Sequence, residues 1–268
     1  MGLFDFFRKK EKPQESTVES TVESKLLLSM PMFKNGDRYS IEQVIAHLKK
    51  QWGMKVDGDD YSDDTAILTI EGSMVAIAYM SAAIPREDIE ATAKYTYSWP
   101  TAMEDLEGMS GHVIVSVMVS DKSTYDRYML MSKVLYSILA TSNAVGVYQG
   151  GQTLLISREE YLSYEDRLME NDTPLTLWVY IGIRAGHEDT TLYTYGMEEF
   201  GFKELEILQT RMATGDAFSF LCNVCCYVLE SNVRFRDGET FGYTEEQRIS
   251  ITLSKGVNLN GETLKLGL

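Results

Sequence analysis

Residues Leu192–Leu208 read LYTYGMEEFGFKELEIL and combine two glycines with flanking aromatic side chains. Gly196 and Gly201 lie five residues apart, and glycine adopts a positive φ without steric cost. From Glu204 onward polar and apolar residues alternate, which is typical of a half-buried strand. The stretch therefore predicts a constrained turn that leads into a strand.

The same stretch supplies the candidate binding residues. They are Tyr193, Tyr195, Gly196, Met197, Phe200, Gly201, Glu204 and Glu206. The aromatic side chains are either exposed anchors for a partner protein or core residues beside the strand, and we favour the second interpretation. Glu204 and Glu206 are two positions apart, so a strand places them on one side of the sheet. That arrangement is either a solvated strand face or a carboxylate pair for hydrolytic chemistry.

Length, composition and net charge limit the fold classes and binding partners that this chain can have. The chain has 268 residues, 44% of them apolar, which is enough for one large α+β unit or two fused halves. Its 40 acidic and 25 basic side chains give a formal net charge of -15. This charge repels phosphate backbones and attracts basic partners, so we expect no nucleic-acid binding and favour a basic protein partner.

The first 24 residues differ in composition from the rest of the chain. Residues 1–12, MGLFDFFRKKEK, place apolar side chains before basic ones, which indicates weak contact with an anionic membrane, docking on a partner, or a frayed terminus. Residues 13–24 repeat ESTV and predict a disordered linker. We find no membrane-spanning run and no signal peptide, and we expect a folded body over residues 25–268.

Periodicity predicts two similar halves, residues 25–158 and 173–268. Strands are predicted at Ala66–Ile70, Met74–Met80, Gly111–Val119, Ala144–Gln149, Thr153–Ser157, Leu175–Arg184 and Gln247–Leu253. The long helices are predicted at Ser123–Thr141, capped by Asp121, and at Asp216–Ser231, and a shorter helix follows a capping box at Ser40. The fold class is therefore α+β, with each half a mainly antiparallel sheet packed against a long helix.

Recognisable catalytic motifs are absent from the sequence. No nucleophile elbow, phosphate-binding loop or dinucleotide fingerprint occurs, and the three histidines are scattered. Cys222, Cys225 and Cys226 lie within one predicted apolar helix, which favours buried structural thiols and a reducing cytoplasm. We expect no catalytic residues, no metal and no cofactor.

The quoted stretch resembles the bacterial family called domain of unknown function 4261. The resemblance rests on Tyr193–Met197, Phe200-Gly201 and Glu204–Ile207, and residues 74–157 upstream are similar to the same family. The run Thr194–Met197 is also similar to suppressor-of-fused-like domains, some of which are regarded as immunity proteins against bacterial toxins. The family implies no activity that can be carried over to this chain.

These observations favour a non-enzymatic cytoplasmic protein-binding module with a toxin-immunity or regulatory role. The alternative is a hydrolase that uses the carboxylates of Glu204 and Glu206. The sequence leaves the oligomeric state open.

Overall fold

A computed structural model describes residues 26–58, 61–118, 120–242 and 248–268. The predicted disordered segment 1–24, including the predicted membrane or partner contact at 1–12, lies outside the described residues. The described chain divides into two compact units, residues 26–180 and residues 181–268. The predicted α+β class is confirmed, because each unit contains a mainly antiparallel sheet and a long helix.

The first unit contains a large sheet and helices on both of its faces. Its strands are β1 (Leu27–Lys34), β2 (Val56–Asp57), β3 (Thr65–Ile70), β4 (Ser73–Met80), β5 (Met109–Val117), β6 (Gly146–Gln149) and β7 (Leu154–Ser157). Its helices are α1 (Ile41–Trp52), α2 (Arg86–Ala93), α3 (Ala102–Asp105), α4 (Thr124–Ala140), α5 (Arg158–Leu162) and α6 (Glu165–Glu170). None of the helices in the described ranges is both long enough and apolar enough to cross a bilayer.

Within the described part of this unit, seven strands form one sheet in the order β2-β3-β4-β5-β1-β6-β7. The strands pair antiparallel, and β5 occupies the centre, as its run of β-branched residues predicts. The predicted hairpin of β3 and β4 is also confirmed. Its turn uses Glu71 and Gly72 at φ 48° and 78°, the positive values that a two-residue hairpin turn requires.

One face of the sheet is covered by α1 and α4. Leu68, Val75 and Val115 project from this face and are fully buried. Helix α4 packs against β1, β5 and α1, and most of its side chains are buried. Burial of this apolar surface, at roughly 25 cal/mol per Å², is the main stabilising contribution to the unit.

The helix caps differ from the predicted ones. Ser40 precedes α1 but its side chain makes no capping bond; instead Asp63 accepts a hydrogen bond from the Ile41 amide at 2.8 Å. Helix α4 is capped by Ser123, which accepts from the Asp126 amide, and not by Asp121. The carboxylate of Asp63 therefore replaces the predicted cap of α1. Local sequence spacing does not reveal a partner that lies in a later loop.

Among the described residues, helices cover one end of the second face of the sheet. There α2 and α3 enclose an apolar cluster that includes Met32, Ile89, Trp99 and Leu155. The rest of this face, over β3, β4 and the beginning of β1, carries exposed apolar side chains.

The predicted strand Leu175–Arg184 is wrong in its first half. Leu175–Leu177 form a 3-10 turn, and β8 begins only at Tyr180. Trp178 is buried in the first unit, where its indole donates a hydrogen bond to Ser132 at 2.7 Å. A short, continuously apolar run does not distinguish a strand from another buried segment, so the sequence pattern was ambiguous here.

The second unit has a sheet whose described strands run in the order β11-β12-β13-β10-β9-β8. They are β8 (Tyr180–Ala185), β9 (Thr190–Tyr195), β10 (Leu205–Thr210), β11 (Thr240–Gly242), β12 (Arg248–Lys255) and β13 (Glu262–Gly267). The pairing of β10 with β13 is parallel, whereas β9–β10, β11–β12 and β12–β13 are antiparallel. The long helix α7 (Thr214–Ser231) packs against β9. That the two units are a pseudo-repeat stays a prediction.

Candidate functional site

The turn between β9 and β10 has the constrained backbone that its sequence predicts. Gly196 has φ 125° and Gly201 has φ 79°, values that residues with a Cβ rarely adopt. Between them Met197–Phe200 form one 3-10 turn, closed by a hydrogen bond from the Gly201 amide to the Glu198 carbonyl at 3.0 Å. The two glycines are therefore required by the geometry of this turn.

The buried carboxylate of Glu204 binds backbone amides of the turn. Its carboxylate accepts hydrogen bonds from the Thr194 hydroxyl at 2.5 Å and from the Gly196 amide at 2.7 Å. A third, longer bond of 3.3 Å comes from the Glu198 amide. Burial raises the pKa of Glu204, and these hydrogen bonds oppose the rise. The side chain fixes the turn, and its oxygens are occupied by the turn itself.

Glu206 performs the same task for the loop before β13. It accepts from the amides of Val257 and Asn258 at 3.1 and 2.7 Å and from the Thr263 hydroxyl at 2.7 Å. The Lys265 ammonium lies 3.2 Å away. Burial by itself would raise the pKa of Glu206, but the hydrogen bonds outweigh it and lower the pKa to about 2. Glu206 is thus a buried, permanently ionised structural anion at neutral pH.

The predicted exposed strand face of Glu204 and Glu206 is therefore wrong. The two residues are 5% and 0% exposed. Glu204 precedes β10 and bonds to the turn, whereas Glu206 lies in β10 and bonds to residues more than fifty positions later. Within the described residues they share no hydrogen-bonding group. The two carboxylates thus belong to separate hydrogen-bond networks.

The predicted aromatic anchors lie at different depths. Tyr193 is buried, and its ring occupies the space beside Gly182, where an added Cβ would lie 2.1 Å from the ring. Met197 is fully buried and Phe200 is half-buried. Tyr195 is exposed, at 40% of its surface. Of these predicted anchors, Tyr195 alone is classed as exposed, whereas Tyr193 and Met197 belong to the core.

The three cysteines lie in helix α7 and are not paired in disulfides. Cys225 and Cys226 are buried and Cys222 is half-buried in α7, as predicted for structural thiols. Burial raises the pKa of Cys225 well above its usual range, so its thiol is protonated and unreactive. No group of three or more His, Cys, Asp and Glu side chains within the described ranges is arranged to hold a metal ion.

The second face of the first sheet presents a surface that the sequence analysis missed. Its register places Ile67 opposite Ala76 and Ala76 opposite Ser116. Leu28 on β1 lies opposite Ser116 and completes a row across four adjacent strands. Residues directly opposite one another project from the same face of a sheet. We call this surface the open face and define it by Leu28, Ile67, Met74, Ala76, Met80 and Ser116.

The open face is apolar and accessible. Ile67 is 63% exposed, Met74 49%, and Leu28 and Met80 41% each. Ser116 is 8% exposed, and the exposed Thr65 and Thr69 of β3 project from the same face. A group of exposed apolar side chains on one sheet face is a candidate interaction site. A signal was present in the sequence: β4 reads SMVAIAYM, with apolar residues at both alternating positions, which is typical of a strand covered on both faces.

The second unit is an α+β domain in which the carboxylates of Glu204 and Glu206 bind backbone amides of the glycine turn and of the loop before β13. Residues 193–267 match the model of the family described as "Domain of unknown function (DUF4261)". This match confirms the resemblance inferred from the turn for residues 193–267. The match does not include residues 74–157, where the resemblance stays a prediction. No curated protein and no solved structure matched the chain.

Proposed function

We propose that this chain is a non-enzymatic protein-binding module of the bacterial cytoplasm, with a toxin-neutralising or regulatory role. The single observation that carries the proposal is the open face. Its exposed isoleucine, leucine and methionine side chains project from the same face of one sheet, and methionine adapts to surfaces of varied shape. A partner that covered them would remove this apolar area from water, which is the main driving force of protein association.

The charge around the open face favours a basic partner. Asp63 and Asp64 precede β3 at one end and Glu71 follows it at the other, and all three are exposed. Arg38 forms an ion pair with Asp64, which leaves the end of the strand less acidic than its sequence suggests. The net charge of -15 still attracts a cationic protein over distance and accelerates its encounter. The partner proposed is an apolar surface surrounded by lysine or arginine.

The binding role is also favoured over the hydrolase alternative. The carboxylates of Glu204 and Glu206 are saturated by hydrogen bonds from the protein. A general acid or base must reach the proton that it transfers, and neither side chain is placed to meet a substrate. These bonds support a structural role for the two carboxylates.

The experiment compares Met74→Lys with Met169→Lys. Met169 lies on α6 outside the open face and is similarly exposed, at 50% against 49% for Met74. A partner is isolated from the native host, purified, and titrated calorimetrically against the parent and both variants. We expect Met74→Lys to weaken binding at least tenfold, because it places a charge in the apolar contact, and Met169→Lys to leave it within twofold.

The outcomes that contradict the proposal are equally defined. A partner whose affinity is the same for the parent and for Met74→Lys binds elsewhere on the chain. Self-association of the parent, abolished by Met74→Lys in sedimentation experiments, identifies a second copy as the occupant of the open face. Turnover of a hydrolase substrate that is lost in Glu204→Gln would favour the enzyme.

A further inference from the structure

A cleft of about 550 Å³ in the second unit lies beside the glycine turn. Its apolar floor is formed by Leu205, Val228 and Leu264, which are at most 5% exposed. Leu205 and Leu264 are neighbours in the parallel pairing of β10 with β13, and Val228 projects from α7. Phe202 and Phe235 are half-buried and contribute aromatic walls. The volume is in the usual range of small-molecule sites, roughly 300–1,000 Å³.

Positive charge surrounds the cleft, in contrast to the acidity of the whole chain. The cationic lining residues are Lys203, Arg234 and Arg236, and the lining contains one carboxylate, that of Glu198. Lys203 is also 3.8 Å from Glu262, an exposed pair that contributes little. The lining therefore combines an apolar floor with three cationic groups and one carboxylate.

Arg234 is fixed in place by the glycine turn. Its guanidinium donates to the carbonyl of Gly201 at 2.6 Å and lies 5.2 Å from the centre of the Phe202 ring. The turn that presents this carbonyl is held by Glu204. The buried carboxylate thus acts through the backbone of the turn to position a cation at the cleft.

Arg236 adds an exposed arginine to the lining. Its backbone amide donates to the Glu239 carboxylate at 2.9 Å, whereas the guanidinium of Arg234 is already bonded to the Gly201 carbonyl. A guanidinium binds a carboxylate through two parallel hydrogen bonds, a geometry that the point charge of an ammonium does not offer. A ligand with a carboxylate would complete the coordination of Arg236 while its apolar portion covers the floor.

We propose that this cleft binds a carboxylate carried on an apolar group, with the carboxylate on Arg236 and Lys203 and the apolar group against Leu205 and Leu264. Such a group occurs in small aliphatic or aromatic acids and at the C-terminus of a peptide that ends in an apolar residue. The site lies in the second unit and goes beyond the protein-binding role assigned to the open face.

The test uses the full chain and two matched pairs of probes. The first pair is 3-phenylpropanoate and its uncharged amide; the second is a tripeptide ending in phenylalanine, with a free or an amidated C-terminus. Binding is followed by calorimetry and by backbone amide shifts of residues 198–205 and 228–236. We expect each free acid to bind at least tenfold more tightly than its amide, and the stronger of the two acids identifies the source of the carboxylate.

Arg236→Gln is compared with Arg211→Gln, an exposed arginine in the same unit that does not line the cleft. Arg236→Gln is expected to weaken binding of the acids at least tenfold and Arg211→Gln by less than twofold. Lys203→Gln provides a second test of the same charge, should Arg236→Gln disturb the loop. Equal binding of acid and amide, or acid binding unchanged in both Arg236→Gln and Lys203→Gln, overturns the proposal, as does the absence of saturable binding by either acid.

Discussion

Replacing Glu206 by glutamine should destabilise the second unit substantially. The substitution keeps the shape of the side chain but removes its charge and turns one acceptor oxygen into a donor. The amides of Val257 and Asn258, the Thr263 hydroxyl and the Lys265 ammonium all face these oxygens. At least one donor is left facing another donor, and Lys265 loses its buried counter-charge.

The magnitude follows from the pKa of Glu206. Folding lowers it from the ordinary 4.5 to about 2, and each unit corresponds to about 1.4 kcal/mol. The ionised carboxylate therefore contributes roughly 3 kcal/mol at neutral pH. Because the folded pKa is depressed, this contribution is complete above the unfolded value of 4.5 and declines as the pH falls toward 2. At pH 3 roughly 1 kcal/mol should remain.

The assay must report on the second unit, and tryptophan fluorescence does not. Trp52, Trp99 and Trp178 all belong to the first unit. Hydrogen exchange of the Val257 and Asn258 amides, measured at pH 7 in rising urea, reports directly on the bonds to the carboxylate. Parallel urea denaturation followed by circular dichroism at pH 7 and pH 3 gives the free energy of unfolding.

Glu262→Gln is the matched control for this experiment. Glu262 begins the neighbouring strand β13, and its exposed carboxylate is 3.8 Å from Lys203. Its loss should cost less than about 1 kcal/mol at either pH. The reasoning is refuted if Glu206→Gln unfolds within 1 kcal/mol of the parent at pH 7, or if its deficit is the same at pH 3 as at pH 7.

Two further substitutions test the turn and the helix cap. Gly196→Ala should lower the free energy of unfolding, measured in urea, by on the order of 1 kcal/mol or more, because φ 125° is closed to alanine. In the control Gly151→Ala the added Cβ meets no atom within 4 Å, so its stability should be nearly that of the parent. Equal stabilities of the two variants would contradict a strained turn. Asp63→Ala should destabilise the first unit by about 1 kcal/mol through loss of the hydrogen bond from the Ile41 amide. Ser40→Ala should change the stability little, because the Ser40 side chain makes no capping bond. A larger loss in Ser40→Ala than in Asp63→Ala would favour the capping box predicted from sequence.

Local patterns predicted much of the secondary structure and its class. The β-branched run of β5, the alternation in β12 and the helical spacing in α4 each have one physical interpretation, and the structure has the elements that they predict. Long-range partners were invisible to the same patterns. Glu206 has the sequence context of a half-exposed strand residue, and only donors from residues 257–265 make its burial favourable.

The candidate site shows the same division. Positive φ at Gly196 and Gly201 could be predicted because few residues other than glycine tolerate it. The open face could not be predicted from the sequence, because its side chains come from β1, β3, β4 and β5. Only the register of the strands brings them together. The sequence of β4 indicated apolar surroundings on both sides, and the structure covers one of them.

The open face also constrains how this protein behaves at high concentration. Copies of the chain carry the same exposed Ile67 and Met74, so their contact would be favourable once the molecules approached each other. The charge of -15 opposes that approach by mutual repulsion, and salt shortens the range of the repulsion to about 8 Å at physiological ionic strength. Colloidal stability should consequently decrease on acidification toward the titration range of the carboxylates, because their protonation removes the net charge.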